Sequence, residues 1–550
     1  MNPPQRQKKL LYVTLLERAE CTFTGIRNFR YPLLWPSGAD RSQLIRLYRT
    51  GRRAFTAARA VVSWPHWLLL AILAAVTIVY LPSLHDAFHG DDFVAFTEFK
   101  SHTFWEYSQD VFLFKDVNFY WRPLGKISHF LLYDFFDFDP FPYRVYSLVV
   151  FLATLVALYA FCVREGLGRW VALGAALIMG LLPNHVVSVT WVTNNSRLMA
   201  VLFMLVCMLF LQAKGTERRW WHELGAFVFM LLAALSDETS LALTPIPVLY
   251  ATFVNPGRWP HRADGLKEIL HVLPTVMRLT FYVALIAILT PLQLEYGTGD
   301  EPRLLFFGIG PHVITQTWAI TSQLVLPLTD ASPIDLLIRD IPTVQWVAGA
   351  VAIAGGALAL VFGSRWLKLL VIWTALGIAP FTLWNLNYTS PRYVYMAAVP
   401  YSIILSWGVV EVVRLVTHVL HFRPLQGLAL AGTAAAVAVA CVISWQTVQA
   451  RDATWSAETA KYRPLADNLK LALKDPPKNG GRLVIYYGYW PDFWASAVAR
   501  TVYGDKKLYV VSVPGKVADT NFPRLRPNDV VVYYLQDHFV YMGLASSSTR

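Results

Sequence analysis

Along the 550-residue chain, long apolar stretches free of Asp, Glu, Lys and Arg alternate with short polar segments. A membrane-spanning helix needs about 20 apolar residues. The stretches that approach this length are 61–84, 145–163, 170–196, 198–213, 224–236, 239–254, 279–294, 341–364, 369–387, 393–410 and 424–445. The stretch 224–236 is short, and Trp220, Trp221 and His222 extend it. A further apolar stretch, 304–329, carries Gly308, Gly310, Pro311, Gln316, Gln323 and Pro327. It reads as re-entrant or interfacial, since irregular backbone at membrane depth is tolerated where it lines a protein cavity. Beyond residue 451 the texture becomes that of an ordinary soluble segment. Residues 483–489, 507–513 and 529–535 are rich in Val, Ile and Tyr and read as strands, and 459–474 reads as a helix.

The pattern therefore predicts a polytopic α-helical membrane protein with about 11 transmembrane helices and a small C-terminal α/β domain. Its expected parts are a basic N-terminal segment over 1–60, a transmembrane domain over 61–450 with long loops at 85–143 and 295–340, and the α/β domain over 451–550. Residues 1–60 also show weak amphipathic patterning that suits an interfacial helix.

Charge sets the orientation. Residues 1–60 hold 12 Lys and Arg against 3 Asp and Glu, most of the chain's net +12. With this segment in the cytoplasm, the turns at Arg164/Arg169, Lys214/Arg218/Arg219, Arg258/Arg262/Lys267, Arg365/Lys368 and Arg414/Arg423 fall on the same side. All are basic, as the positive-inside rule requires. Counting 304–329 as a span would put Arg365 and Lys368 on the opposite side. An odd span count then places the C-terminal domain outside the membrane. The charge excess is accounted for by topology, and no nucleic-acid partner is expected. Composition agrees: 55% of residues are hydrophobic and 15% charged, against about 25% charged in a typical soluble chain. The 4 cysteines are scattered, with no disulfide framework or metal-ligand spacing.

Against this apolar background the adjacent acids Asp91 and Asp92 stand out just after the first span. An acidic pair at the lipid–water boundary suits a general base or a substrate handle, and equally a helix cap. Three arginines lie on the same expected face: Arg122 within Tyr120-Trp121-Arg122-Pro123-Leu124, Arg197 opening a span after Asn194-Asn195-Ser196, and Arg392 within Ser390-Pro391-Arg392-Tyr393. The planar guanidinium fork matches phosphate oxygens, whereas snorkelling or interfacial anchoring is the blander reading. His185, Asp237, Glu238 and Tyr393 reach the same face and are candidate substrate contacts, with Asp237 and Glu238 also able to pair with Arg197 or to cap a helix. Convergence of these groups argues for one shared pocket. Phosphate-binding Gly-rich loops, dinucleotide fingerprints and His-Glu-x-x-His metalloprotease motifs are missing, which argues against ATP-driven pumping by this chain alone.

The ordered set Asp91-Asp92-Phe93, Tyr120-Trp121-Arg122-Pro123-Leu124, Pro140-Phe141-Pro142-Tyr143-Arg144-Val145, Leu182-Pro183-Asn184-His185 with Trp191, Arg197, Ser236-Asp237-Glu238-Thr239, Leu326-Pro327-Leu328 and Arg392-Tyr393 resembles GT-C fold glycosyltransferases. Within that superfamily the chain is similar to the membrane region of tetratricopeptide-containing transmembrane O-mannosyltransferases and their bacterial relatives, without the tetratricopeptide array. The resemblance implies a sugar donor carried on a polyprenyl phosphate, used from the outer face, and a protein or glycan acceptor. It implies a multi-pass protein of a bacterial inner membrane whose active site faces outside. It also implies Asp91 as the base, with Asp92 assisting, and Arg122, Arg197 and Arg392 at the donor phosphate; sequence spacing alone does not choose between the two acids. Related enzymes differ on whether a divalent metal takes part, so no cofactor follows. The other function classes weighed are a transporter or lipid flippase, which calls for matching halves with broken helices and mid-span charges, and a non-catalytic membrane scaffold.

Overall fold

The computed structural model describes residues 64–100, 102–113, 121–213, 220–255, 308–327, 336–385, 388–419, 423–478, 480–486, 490–513, 525–526, 528–535 and 538–544. The expected N-terminal segment 1–60, the span 279–294, Tyr120, Leu328 and much of the loop 295–340 lie outside them. Residues from Trp67 onward form one compact unit.

Among the described residues five helical segments are long and apolar enough to cross a membrane: Pro140–Arg164, Val192–Leu211, Thr343–Phe362, Pro391–Val419 and Pro424–Ala472. A bent pair, Arg169–Leu181 with Pro183–Thr190, makes six if it counts as one span. The helices that matter for the site are α1 (Trp64–Tyr80), three short helices α2 (Gly90–Phe99), α3 (Phe104–Phe112) and α4 (Pro123–Phe136), then α5 (Pro140–Arg164), α6 (Arg169–Leu181), α7 (Asn195–Leu211) and α8 (Trp220–Ser236). They are followed by α9 (Pro311–Val325), α10 (Thr343–Phe362), α11 (Arg365–Thr382), α12 (Tyr395–Val419) and α13 (Arg423–Ala460).

Local chemistry explains the starts. Asp139 caps α5 by accepting from the Phe141 amide at 3.0 Å, and Pro140 follows where a missing N–H costs nothing. Thr103 and Glu106 form a reciprocal capping box at α3. The apolar stretch 170–196 is not one straight span. Pro183 ends the α6 ladder, the chain turns by 52°, and a short helix Val186–Thr190 leads into a 3₁₀ turn, Val192–Asn194, before α7 begins. The bend presents Trp191, Thr193 and Asn194 at the end of the bundle. Within the stretch 304–329 the described residues 308–327 hold the 15-residue α9, with Gln316 and Gln323 buried.

The last long helix, α13, continues for 38 residues and passes position 451 without a break. Arg451 still contacts the bundle, donating to the Asn184 carboxamide oxygen at 2.6 Å. A new helix, α14 (Arg463–Ala472), starts with Pro464 in its first turn. It is followed by β1 (Leu483–Tyr486), α15 (Asp492–Tyr503), β2 (Val510–Val513), β3 (Val530–Leu535) and β4 (His538–Leu544). The sheet order is β2-β1-β3-β4, with β1 parallel to both neighbours and β4 antiparallel to β3.

This sheet does not carry a core of its own. One hydrophobic cluster joins Phe88, Phe96, Phe99 and Phe130 of the loop helices to Leu465, Val498 and Val530. The seam between α2 and α15 is also polar: the Thr97 and Thr501 hydroxyls lie 2.8 Å apart, and Lys100 Nζ donates to the Thr501 carbonyl at 2.6 Å. A second and larger cluster fills the space between the long helices, around residues such as Val76, Phe151, Leu155 and Trp373.

Arg144 ties the loop to the bundle. Its side chain is 2% exposed. It donates to the carbonyls of Asp86 at 3.2 Å, Ala87 at 2.5 Å, and Thr190. Removing the guanidinium strands two buried acceptors and one half-buried one at once, each buried one costing about 1–3 kcal/mol. Arg144→Leu is expected to destabilise the protein by at least ~3 kcal/mol, read as a clear fall in the thermal midpoint in detergent. An unchanged midpoint contradicts this role.

Candidate active site

Asp91 and Asp92 both belong to the first turn of α2, and one residue step rotates them onto different faces. Asp92 turns inward and is 1% exposed. Its carboxylate accepts from the His89 backbone N–H at 2.9 Å and from the Thr193 N–H at 3.1 Å. It thus caps α2 and fastens it to the turn before α7. Burial pushes its carboxyl up to about 7, against the pull of those two amides and of Arg144.

Asp91 turns the other way, onto the wall of a cavity of about 350 Å³. Its Oδ1 accepts from the indole N–H of Trp494, on α15, at 2.5 Å. Burial raises its carboxyl above the usual range, while Trp494 and Arg392 partly oppose the shift. His89, which precedes this turn, accepts from the Asp91 amide at 3.3 Å. Burial lowers that imidazole to about 3, so it stays neutral near pH 7.

Three arginines line the same cavity. Arg122, at the start of α4, makes a two-pronged pair with Glu238, Nε to Oε2 at 2.5 Å and Nη2 to Oε1 at 2.6 Å. Its Nη2 also lies 3.6 Å from Asp237 Oδ2. Arg197, in the first turn of α7, places Nε 3.5 Å from the same Asp237 oxygen and donates from Nη1 to the Arg392 carbonyl at 3.2 Å. Its guanidinium also sits 5.0 Å from the Phe381 ring centroid. Arg392 lies over Trp191, 4.5 Å from its ring centroid. Close packing permits this gathering: a Cβ on Gly125 of α4 would lie 2.6 Å from the Ser196 Cβ of α7.

Asp237 is fully buried, beneath the cavity wall. It follows α8 and caps the next 3₁₀ turn, accepting from the Thr239 amide at 3.0 Å. Burial disfavours its charge, yet Arg122, Arg197 and the Thr239 bonds outweigh that and hold the carboxyl below the usual range.

The cavity thus brings together Asp91, Arg122, Arg197, Glu238, Arg392 and Tyr393 from the sequence-derived set. Tyr393 stacks on Phe381 with centroids 4.5 Å apart. Asp92 and Asp237 lie behind the wall in structural contacts. His185 is fully buried between Phe151 and Tyr395, with ring centroids at 5.8 and 4.8 Å, and does not line the cavity. Sequence reasoning missed Lys126 and His129, which also line it. Their spacing from Arg122, four and seven residues along α4, is a one-face helical signal that was available. It also missed Phe493 of α15, a cavity-lining residue, and its neighbour Trp494. Among the described residues no group of three or more His, Cys, Asp or Glu side chains could hold a metal ion.

Residues 126–286 match the family model described as dolichyl-phosphate-mannose-protein mannosyltransferase. The matched segment is under a third of the chain; it includes Arg197, Asp237 and Glu238 and begins just after Arg122. The match agrees with the resemblance drawn from the motif order. No curated protein matches the chain. Among solved structures, ArnT from Cupriavidus metallidurans bound to undecaprenyl phosphate is 14% identical, with a TM-score of 0.41, over 86% of this chain and 93% of that one. The archaeal oligosaccharyltransferase AglB from Archaeoglobus fulgidus, in complex with an inhibitory peptide and a dolichol-phosphate, is 14% identical, with a TM-score of 0.45, over 82% of this chain and 65% of that one.

Replacing Asp237 by Asn leaves Arg197 buried beside a neutral group. The expected cost is about 3–5 kcal/mol of stability, measured by thermal unfolding in detergent. A variant as stable as the parent contradicts the pairing described.

Proposed function

We propose that this chain is a membrane glycosyltransferase that moves a sugar from a polyprenyl-phosphate-linked donor to a hydroxyl acceptor at the extracytoplasmic face. The observation that carries this reading is a carboxylate, Asp91, sharing one cavity with three guanidinium groups. A base and an anion site within one cavity are what displacement at a sugar phosphate requires. The family-model match over residues 126–286 supports the same donor class.

In the proposed reaction Asp91 takes the proton of the acceptor hydroxyl as that oxygen attacks the anomeric carbon. The bond from that carbon to the donor phosphate oxygen breaks, and its electron pair leaves with the lipid phosphate. Attack from the face opposite the leaving group inverts the anomeric centre. Arg122, Arg197 and Arg392 stabilise the charge that grows on the phosphate. Glu238 keeps the Arg122 fork in one orientation, and Tyr393 supplies an aromatic wall for the sugar. Asp92 acts through position, by fixing the turn from which Asp91 projects.

Two outcomes test this reading in membranes or detergent, with sugar-labelled polyprenyl-phosphate mannose or glucose as donor and a Ser/Thr-rich peptide or a glycan as acceptor. Asp91→Asn should lower transfer by roughly 100-fold or more, with donor binding retained. Transfer should also fall on the acid side as Asp91 takes up its proton, at a pH above the ordinary carboxylate value of about 3.9, because burial raises this group. Full activity of Asp91→Asn contradicts the assignment. Movement of intact donor across the membrane without transfer would favour a transporter instead.

A further inference from the structure

The residues contributed by the C-terminal α/β segment have no part in the mechanism so far, yet one touches the proposed base directly. Trp494 lies in the first turn of α15 (Asp492–Tyr503). Its indole N–H donates to Asp91 Oδ1 at 2.5 Å, across a sequence separation of 403 residues. The ring is held on several sides. Its centroid is 5.0 Å from His89 and 6.0 Å from Tyr462, both edge to face. Gly90 gives it room, since a Cβ there would lie 2.6 Å from the Trp494 Cγ. The neighbouring Phe493 is 50% exposed and lines the cavity itself.

We infer that Trp494 is a positioning residue for Asp91, and that the C-terminal α/β segment is thereby a working part of the transfer site. This inference rests on the reading of Asp91 as the base. A carboxylate on a single-turn rotor can swing. With the indole N–H bound to Oδ1, the second oxygen, Oδ2, is the one left to take the acceptor proton. A hydrogen bond to a charged group is stronger than a neutral one, so the indole also favours the ionised, proton-accepting form. Trp is suited to this task, because its N–H is a donor only and cannot compete for the proton being transferred. The α2–α15 seam, with Thr97 against Thr501, transmits the position of the segment to the base. Phe493, one residue before Trp494, makes the same turn part of the cavity wall.

The test uses the full chain and the labelled polyprenyl-phosphate sugar that supports transfer. Trp494→Phe keeps an aromatic ring and removes the N–H. It should lower kcat by roughly tenfold while changing the donor KM by less than about twofold, as expected for an interaction that acts on the chemical step. The acid limb of the pH profile should move to higher pH, since a donor to the charged form is lost. His89, Asp92, Glu98, Lys126, His129 and Arg392 are the other titratable or charged groups around this wall, and none is altered. Two further variants guard against misfolding. Benzothienylalanine at position 494 keeps the indole shape without its N–H, and Gly90→Ala displaces the ring instead of replacing it; both should reproduce the loss. Independently of turnover, the indole ¹⁵N–¹H resonance of Trp494, assigned by its disappearance in Trp494→Phe, should shift as Asp91 titrates and stop shifting in Asp91→Asn.

If Asp91→Asn abolishes transfer while Trp494→Phe and the benzothienylalanine protein keep the parent kcat and pH profile, the positioning role is overturned and the base assignment stands. If Asp91→Asn itself retains full transfer, the base assignment falls and the positioning role falls with it. A Trp494 resonance that ignores the titration of Asp91 also overturns the inference.

Discussion

A fully buried carboxylate, Asp237, lies between Arg122 and Arg197, and the site depends on that arrangement. An arginine near the membrane boundary is costly unless its charge is balanced. Here two arginines share one buried acid, and Glu238 takes the fork of Arg122. The guanidinium groups are thereby held at a cavity wall while their charge is only partly offset. Three arginines against these two carboxylates leave the wall cationic before Asp91 is counted. In the proposed reaction such a wall receives the donor anion with groups already in place.

The backbone brings these charges together through departures from regular helix. Pro183 bends one apolar stretch and exposes its far end to the cavity as Trp191, Thr193 and Asn194. Asp237 caps a 3₁₀ turn directly after α8, and Arg392 sits in another before α12. Asp92 binds the Thr193 amide and so locks α2 to the bent segment. Each break supplies the backbone groups that a straight helix would have used internally. The C-terminal sheet closes the same end, sharing a hydrophobic cluster with the loop helices instead of forming one alone. Trp494, on α15, carries the contact from this segment to Asp91.

Several parts of this arrangement were legible in the sequence, because charges are scarce in an apolar chain and each rare one carries information. Asp91 and the three arginines were found in that way, and the cavity gathers all four. Asp91 and Asp92 could not be told apart by spacing; hydrogen bonds to the His89 and Thr193 amides distinguish them, and those depend on tertiary contact. His185 carried the same sequence signal as its neighbours, yet the bend at Pro183 turns it into the core beside Phe151. The bend had a visible cause in Pro183, but the apolar run 170–196 has the length of one span and a proline within it reads equally as a kink in a single helix. Trp494 was invisible for a different reason. A single indole in a soluble-looking segment has no local signal of a partner 403 residues away. The α13 helix likewise crosses the composition change at 451 without a break, because helix propensity there does not follow polarity.

The most direct test is a map of the full chain with a polyprenyl phosphate bound. Phosphate density within hydrogen-bonding distance of the cluster formed by Arg122, Arg197 and Arg392, in the cavity that Asp91 also lines, is the expected result. A phosphate held elsewhere in a catalytically active preparation, with the arginine cluster still closed on Asp237 and Glu238 alone, would contradict it.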